Sequence, residues 1–175
     1  MWRAACASRG LGRRTILVGI AGVMLPSALL AETPPGGPVL LEVFGAFDPD
    51  KMVAFDLAGL DALPQQIFQT STPWTEGVRA FSGPSLGDVL ETAGFVGKRV
   101  RAEALNDYHA TFDVPEPQDP YPILCTRIDG HLLTVREHGP VWIIYPFDDE
   151  PRYLVETALA ASVWHLVRLV VLADA

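Results

Sequence analysis

The sequence predicts an α+β domain built mostly from antiparallel strands. Three observations point there. Short runs of apolar and β-branched residues recur along the chain, separated by Gly, Pro, Asp and Asn turn signals. Helical spacing is confined to two or three short stretches. Strands also follow one another directly instead of alternating with long helices, as they would in a parallel α/β sheet.

The chain has 175 residues, enough for one domain and a targeting segment. Residues 1–31 read as an export signal, with Arg3, Arg9, Arg13 and Arg14 before an apolar run that ends in small residues at Ala31. Pro26 interrupts that run, which argues against a membrane anchor, so no membrane insertion of the mature chain is expected. Gly12-Arg13-Arg14-Thr15-Ile16-Leu17 partly matches a twin-arginine signal, which makes that route a candidate and places the mature protein in a periplasm. Beyond Ala31 nine of the 13 basic residues remain against all 21 acidic ones, a net charge of −12. That balance excludes nucleic acid and anionic membrane as partners, since both demand a basic face. Cys6 leaves with the signal, so Cys125 is left alone and no internal disulfide can form. Its apolar neighbours Ile123 and Leu124 predict a buried, inert thiol. Arg127, two residues on, is the one feature that would favour a reactive thiolate.

Residues 32–38 form a flexible Pro/Gly leader, and residues 39–175 are expected to be a single domain. Residues 39–44 read as a strand, residues 53–63 as a strand passing into a helical turn stopped by Pro64. Ile67-Phe68 then leads into Gln69-Thr70-Ser71-Thr72, closed by Pro73-Trp74, a polar run at a strand end where sites tend to sit. Residues 78–81 alternate as a strand, Ser82-Gly83-Pro84 reads as a turn, and Ser85 caps a helix with Asp88 three residues later and Gly94 past its end. Leu86, Val89 and Leu90 share the face of that helix that should be buried. Residues 99–105 alternate charged and apolar, a strand with one wet face, and residues 111–121 read as an acidic, Pro-rich loop. Asp129-Gly130 marks a hairpin between residues 123–128 and 131–135. Residues 141–145 are wholly apolar, hence a buried strand. Residues 148–151 read as an exposed turn, 153–161 as a helix and 164–172 as the closing strand.

In this order the landmarks resemble the oxidoreductase molybdopterin-binding domain family, the sulfite-oxidase fold, over roughly residues 57–172. They are the polar segment ending in Trp74; Phe81 to Leu86 leading into a helix; Asn106-Asp107-Tyr108; the hairpin at Asp129-Gly130; Gly139-Pro140-Val141-Trp142; and Ser162-Val163-Trp164. The resemblance implies an exported oxidoreductase whose molybdenum–pterin cofactor takes one cysteine thiolate at the strand end before the Trp. That position is Thr70 or Ser71 here, and a hydroxyl is a poor donor to a metal that favours soft thiolate. The arginine expected after the Gly-Pro pair is Trp142, and no lysine follows Lys98. No metal ligand is assigned, and no cofactor is expected.

The candidate cleft is Thr70, Ser71, Trp74, Asn106, Asp107, Tyr108 and Trp142, with Trp164 as a further aromatic. It reads either as core or as a small-ligand pocket with aromatic walls. The sequence thus points to a non-catalytic module binding a small molecule or a periplasmic or membrane partner protein. The alternative is a molybdopterin-dependent oxidoreductase holding its cofactor without cysteine. The four histidines lack metal spacing, Asp48-Pro49-Asp50 and Asp148-Asp149-Glu150 read as solvated turns, and Ser71 with His109 and Asp107 has no nucleophile-turn signature.

Overall fold

A computed structural model describes residues 36–115 and 122–173. The export-signal reading, with the start of the leader, and most of the acidic loop lie outside these residues.

The strands of the described residues form three sheets. The largest has the order β2-β1-β11-β5-β6: β1 is Leu41–Gly45, β2 Asp48–Phe55, β5 Arg99–Ala104, β6 His109–Asp113 and β11 Leu166–Leu172. Only β1 and β11 pair in parallel. A second sheet, β3-β4-β8-β9, joins Gln65–Ser71, Val78–Pro84, Arg127–Ile128 and His131–Leu132. The third is a ribbon of β7, Ile123–Cys125, and β10, Trp142–Ile144. Three short α-helices complete the set: α1 (Leu57–Asp61), α2 (Leu86–Thr92) and α3 (Glu156–Ala161). The α+β, mostly antiparallel architecture expected from the sequence is the one observed.

The ribbon explains why residues 141–145 are all hydrophobic, Trp142 and Tyr145 alone carrying a polar side-chain atom. Successive residues of a strand point to opposite faces, and both faces of β7 and β10 are covered. Leu124 and Ile143 join a core with Leu41, Val43, Leu86, Val89, Leu169 and Val171. Ile123, Cys125, Trp142 and Ile144 join a second cluster with Phe81 and Leu133. Each such side chain contributes on the order of 1.5–3 kcal/mol by leaving water, so this double-sided ribbon binds the two larger sheets together.

Local signals behave as read in several places. The Ser85 hydroxyl accepts the Asp88 N–H at 3.0 Å and donates to Asp88 Oδ2 at 2.6 Å, Gly94 takes a positive φ, and Leu86, Val89 and Leu90 are buried. Asp129-Gly130 turns a hairpin, though its arms, β8 and β9, are only two residues each.

Three readings need correction. Ser82-Gly83-Pro84 is not a turn: β4 runs through it to Pro84. The glycine serves close approach instead, since a Cβ on Gly83 would lie 2.1 Å from the Leu124 carbonyl oxygen. Asp48-Pro49-Asp50 is not a turn either but the start of β2, whose position at the sheet edge tolerates a proline that cannot donate. Residues 111–113 belong to β6, paired with β5, so the loop begins later than expected.

Candidate functional site

Strand β3 ends at Thr70 and Ser71, set by their pairing with Arg79 and Val78 on β4. Thr70 is fully buried. Its hydroxyl accepts the Asp148 N–H at 3.0 Å and donates to the Ser71 carbonyl at 3.3 Å. Ser71 gives its N–H to Asp148 Oδ2 and its hydroxyl to Oδ1, both at 2.7 Å. A single carboxylate thus closes the strand end with two charge-assisted hydrogen bonds. Asp148 sits in the exposed turn read from the sequence, but that reading missed the clamp because the partners are 77 residues apart. The Ser71 hydroxyl is committed to Asp148, and neither His109 nor Asp107 touches it.

The next residues aim Trp74. The Thr72 hydroxyl accepts the Trp74 N–H at 3.2 Å and shares a hydrogen bond with Thr75 at 2.8 Å, a turn in which hydroxyl replaces backbone. Trp74 meets Trp142 and Trp164 edge-on, each at 5.8 Å between centroids. Trp142 is fully buried, donates its indole N–H to the Ser162 carbonyl at 3.1 Å, and meets Phe81 edge-on. Such edge-to-face geometry is what the ring quadrupoles favour.

His138 is the member of this cluster that sequence reasoning did not single out. Its ring stacks on Trp142 at 4.6 Å and meets Trp164 edge-on at 5.3 Å. Its backbone has φ 73°, and that of His165 has φ 53°. Left-handed conformations are uncommon for residues other than glycine and store strain where the surroundings fix them. They are fixed here by the His165 N–H donating to the His138 carbonyl at 3.0 Å and by His165 Nδ1 lying 2.6 Å from the Gly139 carbonyl oxygen. Burial, and secondarily the neighbouring His165, hold the His138 imidazole below its usual pKa.

Asn106, Asp107 and Tyr108 form the turn between β5 and β6. The Asn106 side chain accepts the Tyr108 N–H at 3.4 Å, and the Tyr108 hydroxyl donates to the Ala160 carbonyl at 2.9 Å, tying the turn to the α3 end. Asp107, with φ 63°, lines a separate cleft of about 380 Å³ with Glu103, His109 and Arg168. Among the described residues their hydrogen bonds do not reach Thr70, Ser71 or Trp74. The fold brings together Trp74, Trp142 and Trp164 beside the closed strand end, and the Asn106–Tyr108 turn joins their neighbourhood through the Leu105 N–H, which donates to the His165 carbonyl at 2.9 Å.

Cys125 is the buried thiol the sequence predicts. It donates to the Arg127 carbonyl at 3.1 Å, and burial pushes its pKa up to about 12. The Arg127 guanidinium, the feature that would have favoured a thiolate, binds Asp61 in bidentate fashion at 2.6 and 2.7 Å. That pairing holds the Asp61 carboxyl below its usual range.

The fold is similar to that of the sulfane dehydrogenase SoxCD from Paracoccus pantotrophus, a crystal structure, with a TM-score of 0.55 at 18% sequence identity. The likeness covers 77% of this chain and 38% of that one, so the chain spans well under half of the solved chain. No family model matches the sequence, and no curated protein matches it in sequence. The likeness establishes a sulfite-oxidase-type fold: mixed and antiparallel sheets with a few short helices.

The residues here do not fit the molybdenum–pterin group that such a fold brings to mind. The atoms at the strand end are hydroxyl oxygens, hard donors where the metal asks for thiolate. The Asp148 carboxylate lies 2.7 Å from the Ser71 hydroxyl, an acidic neighbour that disfavours an anionic group at this strand end. The one thiol in the described core, Cys125, has its pKa pushed up by burial and donates to a backbone carbonyl. Among the described residues no three His, Cys, Asp or Glu side chains are grouped to hold a metal.

Proposed function

We propose that the mature chain is an exported, periplasmic, non-catalytic module that uses a sulfite-oxidase-type scaffold to bind a partner. The observation that carries this reading is the clamp at the end of β3. Both the N–H and the hydroxyl of Ser71 are spent on Asp148, and the rings of Trp74, Trp142, Trp164 and His138 pack on one another beside it. An oxidoreductase of this architecture needs an open strand end with a soft donor. This chain has a closed one.

The test is elemental and pterin analysis of the protein exported from a cofactor-producing host, alongside Ser71→Cys. The expected result is no bound molybdenum in the parent, and none in the variant while Asp148 remains. Near-stoichiometric metal in the parent would establish the oxidoreductase alternative.

A further inference from the structure

Among the described residues, the outer strands of the two larger sheets other than β3 each carry a device against pairing with another strand. β2 has Asp48, Pro49, Asp50 and Lys51; β6 has His109 and Asp113; β9 is two residues long. Charges, prolines and brevity are the usual means by which edges are blunted. β3, also an edge, is seven residues long and reads Gln-Gln-Ile-Phe-Gln-Thr-Ser, with neither charge nor proline.

The orientation of its backbone follows from hydrogen bonds on the far side of β4. Thr126 and Asp129 donate to the carbonyls of Ser82 and Ala80, so those residues face away from β3. Their partners on β3 are Ile67 and Gln69. In an antiparallel ladder, alternate pairs exchange hydrogen bonds, so Ile67 and Gln69 turn their N–H and C=O groups outward to the open edge. Ser71 has the same parity, and its N–H is indeed directed away from β4, to Asp148.

An open groove of about 1060 Å³ borders this edge at Gln66, Ile67 and Phe68. Ile67, with 73% of its surface exposed, and Val96, with 90%, supply apolar wall. Among the described residues its charged lining is Asp88, Glu91, Asp149 and Glu150 with Lys98; Glu150 is paired with Arg152 and Asp88 with the Ser85 hydroxyl, which leaves Glu91 and Asp149 as the carboxylates turned to a cationic partner. A second copy of so acidic a chain is poorly matched to such a lining, and a cationic segment is well matched.

The geometry points to a docking site in which an extended, lysine- or arginine-bearing segment of a partner protein adds as a strand to β3. Main-chain hydrogen bonds to Ile67 and Gln69 give it affinity, Ile67 and Val96 receive its apolar side chains, and the carboxylates receive its cations. This deepens the partner-binding reading above. Metal found on the chain would sink that reading while leaving the peptide result standing.

The probe is a blocked octapeptide of alternating lysine and valine, measured by calorimetry and by amide hydrogen exchange on the mature protein. Saturable binding is expected, with exchange at Ile67 and Gln69 slowed at least tenfold, and a Kd at least tenfold higher for the glutamate–valine peptide. N-methylating every second backbone amide, in each of the two registers, should raise the Kd at least tenfold in one register and much less in the other. The folded Glu91→Lys/Asp149→Lys variant should lose at least tenfold in affinity. Equal binding by both methylated peptides, or unchanged exchange at Ile67 and Gln69, would mean charge adhesion alone and overturn the proposal. Protection of these amides that grows with protein concentration without peptide would assign the edge to a second copy and overturn it equally.

Discussion

At Thr70 and Ser71 strand β3 is shut by Asp148, whereas four residues before Ser71, at Ile67, the same strand offers an exposed side chain and an outward-facing backbone. The difference is not one of composition, since both stretches are uncharged and strand-forming. It lies in what the rest of the chain brings up to them: a carboxylate and four aromatic rings at one end, an open groove along the middle. Within one strand, the position that the resemblance assigns to a metal ligand is hydrogen-bonded to Asp148, and the exposed stretch lies beside it.

The largest expected effect sits at the closed end. Trp142→Ala removes a fully buried indole and its hydrogen bond to Ser162, and should cost about 3–5 kcal/mol in denaturant unfolding. Ile67→Ala at the open stretch should change stability by less than about 0.5 kcal/mol. Comparable losses at the two positions would show that Ile67 is covered and would break the contrast. Asp148→Ala comes next. It strips Ser71 of both hydrogen bonds, but water can replace an exposed acceptor, so about 1 kcal/mol is expected.

The smallest effect is a pH dependence. His138 has a pKa lowered in the folded state by burial and by His165, so the unfolded chain binds its proton more readily. Stability is therefore full above the unfolded value of about 6.5 and declines as pH falls below it. His138→Gln should flatten that limb. The limb from Asp61, whose pKa Arg127 lowers, lies below the ordinary aspartate value of about 3.9 and should remain. A His138→Gln profile identical to the parent's between pH 7 and 5 would remove His138 from the account.

What the sequence revealed of all this depended on how far apart the determinants lie. The α2 cap at Ser85 and Asp88, the Gly94 terminator and the Asp129-Gly130 turn are decided within a few residues, and they were legible. Strands at residues 78–81 and 99–105 were legible from alternation, and the burial of residues 141–145 from their unbroken hydrophobic run, whereas the order of strands in the sheets and the pairing of β10 with β7 were not. Gly83 misled because a glycine beside a proline reads as a turn, while its real constraint is the Leu124 carbonyl on another strand. The same limit applies to the site. Trp74, Trp142 and Trp164 could be grouped through landmark order, but the Asp148 clamp and the stacking of His138 on Trp142 are long-range and carry no local signature. The free edge of β3 becomes visible only once the ladder parity is known.

Amide hydrogen exchange along β3 in the isolated mature protein tests the central contrast most directly. Slow exchange is expected at Phe68, Thr70 and Ser71, the first two bonded to β4 and the last to Asp148, with Ile67 and Gln69 exchanging close to the rate of an unprotected chain. Fast exchange at Ser71, or protection at Ile67 and Gln69 equal to that of Phe68, would contradict it.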